Sequence, residues 1–361
     1  MLYDPPRTSK ELGGRSPGVN GPAAGSAASL SDVEPRHNRN CRRPPWGGYP
    51  RPVRFHAIML VRDEADVLSE AIKGVLGWAD SLWVLDNGSI DGSWEIVQEA
   101  AGSDPRVRAW GRVNAVFSDA LRAAVFHDAR TTFGPGDWIA RVDADEVFHE
   151  QPSEFVRRLG RSESFVCGLL HEFVLLRGEA EAIGRGEEDL SLPISERRRW
   201  WTPNHYPEPR LFRYRRSMRW PGTRGHPWLA GVMATERIQI RHYRWRTPEQ
   251  ARRRWALREA VRGSMPFGGA HWSIDNWRAE GLRTRRDPGV SFWRPGTALA
   301  PFVSPSPVTA PVRRFGKAAL ARCGVQSMVD RVLPGYAPAD LRPEPAEIAE
   351  RYLELLSDDA V

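Results

Sequence analysis

Asp143 and Asp145 close the apolar run in GDWIARVDADEVF, residues 136–148: two carboxylates separated by one alanine. In extended backbone, side chains two positions apart point the same way, so both would aim beyond a sheet edge while Ala144 faces back. Two converging hard oxygen donors suit a divalent cation such as Mg²⁺ or Mn²⁺, which keeps positions open for phosphate oxygens. The plainer use of such acids is at the start of the next helix, where negative charge meets the positive helix end, and Glu146 is expected there. Asp86 weighs against coincidence. It ends LWVL and leads into NGSIDGS, a turn rich in residues that accept left-handed backbone and then cap a helix. A carboxylate there can accept from a ribose hydroxyl or a base N–H, while nearby backbone amides face phosphate.

The elements that must position these acids can be read from periodicity. FHAIML (55–60), SLWVLD (81–86), RVRAW (106–110) and DWIARVD (137–143) have strand length and composition. Helical patterns separate them: Val67, Ala71, Val75 and Trp78 recur at helical spacing, and further helices are expected over 91–101 and 118–133. Alternation with short connections predicts parallel βαβ units in an open, doubly wound α/β sheet, where ligands collect outside the carboxyl ends of the strands. Three strand ends there are acidic or polar: Arg62 to Glu64, Asp86 to Ser89, and Asp143 to Glu146.

Beyond residue 150 the alternation fades. SFVCGLLHEFVLL (164–176) fits a bent strand or a helix, and 178–199 reads as a charged loop. PRLFRY (209–214) and RIQIRHYRW (237–245) are expected strands, 248–263 a helix with Pro248 in its first turn, 301–311 an irregular connector and 346–359 a final helix. Residues 1–50 are rich in Gly, Pro, Ser and Arg and are expected to be disordered. The predicted organisation is therefore a disordered segment over 1–50, a catalytic domain over 51–263, and an extension over 264–361 that is irregular and then helical.

Only three of the 52 basic residues are lysines, and the formal net charge is +7. Such charge permits binding to anionic partners without demanding it. The runs at Arg197 to Arg199, Arg213 with Arg215 and Arg216, and Arg252 to Arg254 are expected on solvated faces or against acidic neighbours. Cys41, Cys167 and Cys323 are too scattered for a disulfide framework or a zinc site. Absence of a signal pattern and of a spanning apolar run gives a cytoplasmic expectation, with peripheral membrane contact left open.

With these residues assembled, the segment from 55 to 245 resembles a GT-A-fold glycosyltransferase of the family-two type. The resemblance is carried by MLVRDEADVLSEAIKGVLGWADSLWVLDNGSIDGSWEIV and GDWIARVDADEVF, and supported by PRLFR and IRHYRW. It implies a three-layer fold with a mostly parallel central sheet, and inverting, metal-dependent sugar transfer from a UDP-, GDP- or dTDP-sugar to a carbohydrate or other hydroxyl acceptor. It places Arg62 and Glu64 near the nucleotide base, Asp86 on base or ribose, Asp143 on ribose or metal, and Asp145 on the Mn²⁺ or Mg²⁺ ion. His242 would complete the metal shell. The usual late His-Glu pair is replaced by His226-Pro227, leaving Glu208 and Glu172 as base candidates, with Glu208 favoured by its place before a strand. Leu121-Arg122 stands where relatives often carry Arg-Asn.

Two other readings compete. A nucleotidyltransferase on a similar sheet would show a glycine-rich loop after the first strand, and VRDEAD is not glycine-rich. A basic binding protein would use the net charge and the 15 tryptophans, but no nucleic-acid partner is expected. Trp200, Trp201, Trp220 and Trp228 could form a sugar platform, although packing is the simpler account.

Overall fold

The computed structural model describes residues 52–160, 162–262, 283–300, 302, 311–338 and 341–357. The expected disordered segment over 1–50 lies outside the described residues, as does most of the expected connector over 301–311. The chain opens with β1 (Phe55–Val61), α1 (Ala65–Leu76), β2 (Ser81–Asp86), α2 (Ser93–Ser103), β3 (Val107–Arg112), α3 (Ala120–Ala129) and β4 (Trp138–Asp143). β1 pairs in parallel with β2 and β4, and β2 with β3. Every residue of β1 is buried, as expected of a parallel strand covered on both faces. Its side chains alternate between two cores. Ala57, Met59 and Val61 join Leu68, Ile72 and Val75 of α1, whereas Ile58 and Leu60 join Leu121, Val125 and Phe126 of α3.

The second half departs from the expected mostly parallel sheet. After β5 (Glu146–Phe148) and α4 (Pro152–Arg157) come β6 (Glu163–Phe173), α5 (Arg177–Gly184), α6 (Ile194–Arg197), β7 (Trp200–Arg213), β8 (Val232–Met233) and β9 (Ile238–His242). The strand order is β3-β2-β1-β4-β7-β6-β9-β5. β7 is antiparallel to β4 and β6, and β5 is antiparallel to β9, while β6 and β9 are parallel. The sheet is thus parallel in its first half and mixed beyond β4. The ambiguous run at 164–176 is a strand over most of its length, because neighbours on both edges satisfy its backbone. Within the expected loop at 178–199 lie two short helices, α5 and α6.

Gly168 sits in β6 between two register shifts against β7. A Cβ there would meet Ile240 Cδ1 at 2.6 Å and Arg210 Cγ at 3.0 Å. Gly168→Ala is expected to cost about 1–3 kcal/mol through overpacking, measured as a shift in urea midpoint. An unchanged midpoint would mean that Ile240 repacks freely.

The chain continues with α7 (Pro248–Ala260), β10 (Ser291–Phe292), α8 (Pro311–Arg322), α9 (Val325–Val332) and α10 (Ala346–Ser357). Thr247 caps α7 by accepting from Gln250 N, with Pro248 in the first turn as expected. Ile348 and Tyr352 of α10 pack against Ala256, Ala260 and Val261 at the far end of α7. This helix pair lies over the carboxyl end of β1: Tyr352 Oη donates to Asp63 Oδ2 at 2.8 Å, and Arg62 forms two hydrogen bonds, 2.6 and 2.8 Å, with Glu344.

Candidate active site

A cavity of about 340 Å³ opens at the carboxyl ends of β1 and β4, lined by Arg62 to Glu64, Asn87, Arg122 and Asp143 to Glu146, with Glu208, His242 and α7 on its other sides. This is where an α/β sheet is expected to bind its ligand. The loop after β2 builds the floor. Asp86 Oδ1 accepts from Gly88 N and Ser89 N, both at 3.0 Å, and Gly88 adopts φ +82° to allow the turn. Ser89 Oγ accepts from Asp63 N, Ser93 Oγ from Glu64 N, and Asp91 Oδ2 from Ala65 N. The NGSIDGS segment therefore fastens the β1–α1 turn, in which Asp63 holds φ +55°. Asp86 is fully buried, and its Oδ2 has no hydrogen-bond partner among the described residues.

Both acids of the Asp-Ala-Asp sequence reach the cavity, but they face different cations. Asp143 pairs with Arg122 from α3, with Arg141 and Arg210 nearby at 3.9 and 3.8 Å. Burial opposes its charge, but these three guanidinium groups outweigh it and hold the carboxyl down at about 2. Asp145 lies 2.6 Å from Arg254 Nη1 of α7 and 3.3 Å from His242 Nε2. Burial again opposes, and Arg254 and His242 hold Asp145 well below the usual carboxylate range. His242 sits in line between Asp145 and Glu172, whose Oε2 is 2.9 Å from Nδ1. Burial lowers the His242 pKa less than these two carboxylates raise it, to about 10, so the ring stays protonated at neutral pH.

Among the described residues no group of three or more His, Cys, Asp and Glu is placed to hold a metal ion. Each carboxylate already has a guanidinium against it, and a protonated imidazole has no lone pair to give. The residues as placed do not fit a preformed cage for Mg²⁺ or Mn²⁺.

The other expected site residues divide between this cavity and its surroundings. Glu64 is in the cavity, paired with the fully buried Arg246 and with Arg254 at 3.5 Å. Arg62 lines it too, but its guanidinium is taken by Glu344. Glu208 lines the cavity, 3.1 Å from both Arg141 and Arg210, and these arginines overcome burial to lower its pKa. Glu172 is not in the cavity wall; it lies behind His242 and opens on a second cavity of about 320 Å³ with Asn204, Tyr206 and Arg244. Glu146, expected at a helix start, belongs to β5 and pairs with Arg210, while Gln151 precedes α4. Trp220 and Trp201 are buried in separate cores, and Trp228 carries Arg224 over its ring at 3.9 Å.

Sequence reasoning missed the arginines that face the acids. Arg122 stands out in the sequence only as a departure, and Arg254 only as part of a basic run. Arg198 and Arg254 both take the second option given for such runs: Arg198 is fully buried against Glu188, and Arg254, partly exposed, pairs with Asp145. The spacing of Arg254 and Arg258, one turn apart on α7 with both lining the cavity, is the signal that could have placed them.

Residues 57–224, a little under half of the chain, match the family described as glycosyl transferase family 2. The chain's mixed α/β fold, parallel in one half of the sheet and mixed in the other, resembles the GT-A-like fold of glycosyltransferases. A TPR repeat-containing protein of Synechococcus elongatus is 32% identical over 125 residues, 34% of this chain, which spans about a quarter (27%) of that relative. The mannosyltransferase PcManGT from Pyrobaculum calidifontis, solved with GDP-Man and Mn²⁺, is 14% identical over 36% of this chain and 37% of its own, at a TM-score of 0.26. The S. aureus TarS fragment 1-349 is 10% identical over 61% of this chain and 68% of its own, at a TM-score of 0.31. At such identities and scores neither structure informs the chemistry of this cavity.

Proposed function

We propose that the chain transfers a sugar, with inversion, from a nucleotide-activated donor to a hydroxyl acceptor. The supporting observation is Arg122: it is 2% exposed, lines the cavity beside Asp143, and its Nε and Nη1 have no hydrogen-bond partner among the described residues. Buried N–H donors left open beside a cavity call for an anionic ligand. Departure of a nucleoside diphosphate concentrates negative charge, and Arg122, Arg141 and Arg254 supply fixed positive charge in a partly dry site. Asp86 is fully buried behind the cavity wall, where it holds the turn in shape, and Asn87 is the residue of that loop that faces the donor. Of the two base candidates Glu208 faces the cavity, and a hydroxyl acceptor entering beside it would give up its proton there.

Mg²⁺ or Mn²⁺, the cofactor expected of this family type, would reach Asp145 only if Arg254 left it, so no step is routed through the ion. A cytoplasmic setting, with access to soluble nucleotide sugars, is part of the proposal.

Calorimetry with UDP, GDP and dTDP, with and without divalent ion, tests the reading. At least one nucleoside diphosphate is expected to bind, and Arg254→Gln to weaken it about tenfold or more. Failure of all three to bind under every ionic condition would end the proposal.

A further inference from the structure

The outer faces of α8 and α9 carry large apolar side chains in water. Val312, Phe315 and Val332 are 82%, 76% and 81% exposed, and Leu320 and Met328 are more than half exposed. Scattered exposed apolar residues are ordinary, but five on two consecutive helices are not. Both helices are fixed with this face outward. On α8, Arg314 reaches inward to Glu163 Oε1 at 2.7 Å, nearly opposite Val312 and Ala319 on the helical wheel and about 100° from Phe315. On α9, the buried Asp330 accepts from Arg215 Nη2 at 2.8 Å and Ser217 Oγ at 2.9 Å, which leaves Met328 and Val332 on the other side. Gly324, at φ +72°, turns one helix into the next.

The charge on this hairpin has one sign. α8 contains Arg313, Arg314, Lys317 and Arg322 and no carboxylate, and the one acid of α9, Asp330, is buried. Lys317 and Arg331 are exposed. We propose that α8 and α9 form a docking surface for an anionic phospholipid bilayer: the apolar side chains enter the headgroup boundary, and the basic side chains meet lipid phosphate. An amphipathic helix of this composition lies in the plane of the interface, with basic residues reaching back to the headgroups. A partner protein surface would have to be both apolar and acidic to match, whereas a bilayer with anionic lipid is both by composition. Among the described residues no helix is long and apolar enough to cross a membrane, so contact here is peripheral.

The full chain is sedimented with vesicles of phosphatidylcholine alone and with phosphatidylglycerol added. The expected result is capture by the anionic vesicles, weaker capture by the neutral ones, and a loss on adding salt that is partial because the apolar contacts remain. Phe315→Glu with Val332→Glu is expected to lower the bound fraction about tenfold or more. Both sites are exposed, so the urea midpoint should hold; Tyr206→Ser, at an aromatic residue exposed elsewhere, is expected to bind as before. Equal binding by the double variant, or no binding to anionic vesicles, overturns the proposal. A dimer in light scattering that the double variant converts to monomer also overturns it, by assigning the face to a second copy of the chain. The readout is independent of sugar transfer and stands or falls apart from the proposed reaction.

Discussion

Asp145→Asn is expected to reduce turnover, followed as released nucleoside diphosphate, by about a hundredfold or more. The carboxylate is buried and neutralises two cations at once, Arg254 at 2.6 Å and His242 at 3.3 Å. An amide of the same size keeps the packing but cannot balance either charge. Arg254 then loses the anchor that holds it in the cavity wall, and the His242 ring, kept protonated by Glu172 and Asp145 together, loses one of those two supports. Two routes lead to the same loss and differ in ion dependence. If Asp145 acts by positioning Arg254, turnover stays low at every Mg²⁺ or Mn²⁺ concentration. If it takes a cation when donor binds, raising the ion concentration restores part of the rate. Undiminished turnover in the variant would remove Asp145 from the reaction altogether.

Arg246→Met is expected to destabilise the chain by about 3–5 kcal/mol, because it strips one partner from a buried charge network. Arg246 is fully buried. It binds Asp66 at 2.7 and 2.8 Å, pairs with Glu64, and donates to Tyr243 O at 3.1 Å. Methionine fills much of the volume but leaves Glu64 to Arg254, at 3.5 Å, and takes from Asp66 both of its hydrogen bonds to Arg246. The check is urea unfolding at neutral pH. The cause is separable: adding Glu64→Gln should recover part of the loss, since one unbalanced charge is gone. If the double variant is no more stable than Arg246→Met alone, the cost lies in the hydrogen bond to Tyr243 and in packing, not in charge.

The parallel half of the fold was legible because its code is local. β1, β2 and β4 are short apolar runs bounded by turn residues, and of the helically spaced residues of α1, Ala71 and Val75 face one core while Val67 packs with Phe173 and Tyr243 in another. β7 was legible only from Pro209 onward. Its earlier stretch, WWTPNHYPE, has two prolines and little alternation, and it is extended because β6 pairs with it from Gly168 to Phe173. That pairing is long-range and leaves no periodicity to find. α8 and α9 fall within the extension expected to be irregular and then helical, in a stretch before 346 where no helix was named, although the spacing of Val312, Phe315 and Ala319 is helical. In the site, both carboxylates were readable as the end of β4, but the choice of partner was not. Whether Asp145 meets a metal or an arginine depends on where α7 lies, about a hundred residues later (|i−j| = 109 for the Arg254 contact).

The loop after β1 is completed by residues far along the chain. Arg62 and Glu344 are separated by 282 positions, and Asp63 and Tyr352 by 289. A ribosome making this protein would deliver the parallel half of the sheet long before either clasp exists. At about 5–20 residues per second, that half waits tens of seconds with the turn at Asp63 lacking its outer support. Closing so wide a circuit carries an entropic cost that local pairing does not, so this rim sets last on the folding path. The β1–α1 turn therefore lacks both of these contacts until the polypeptide has been extended through α10.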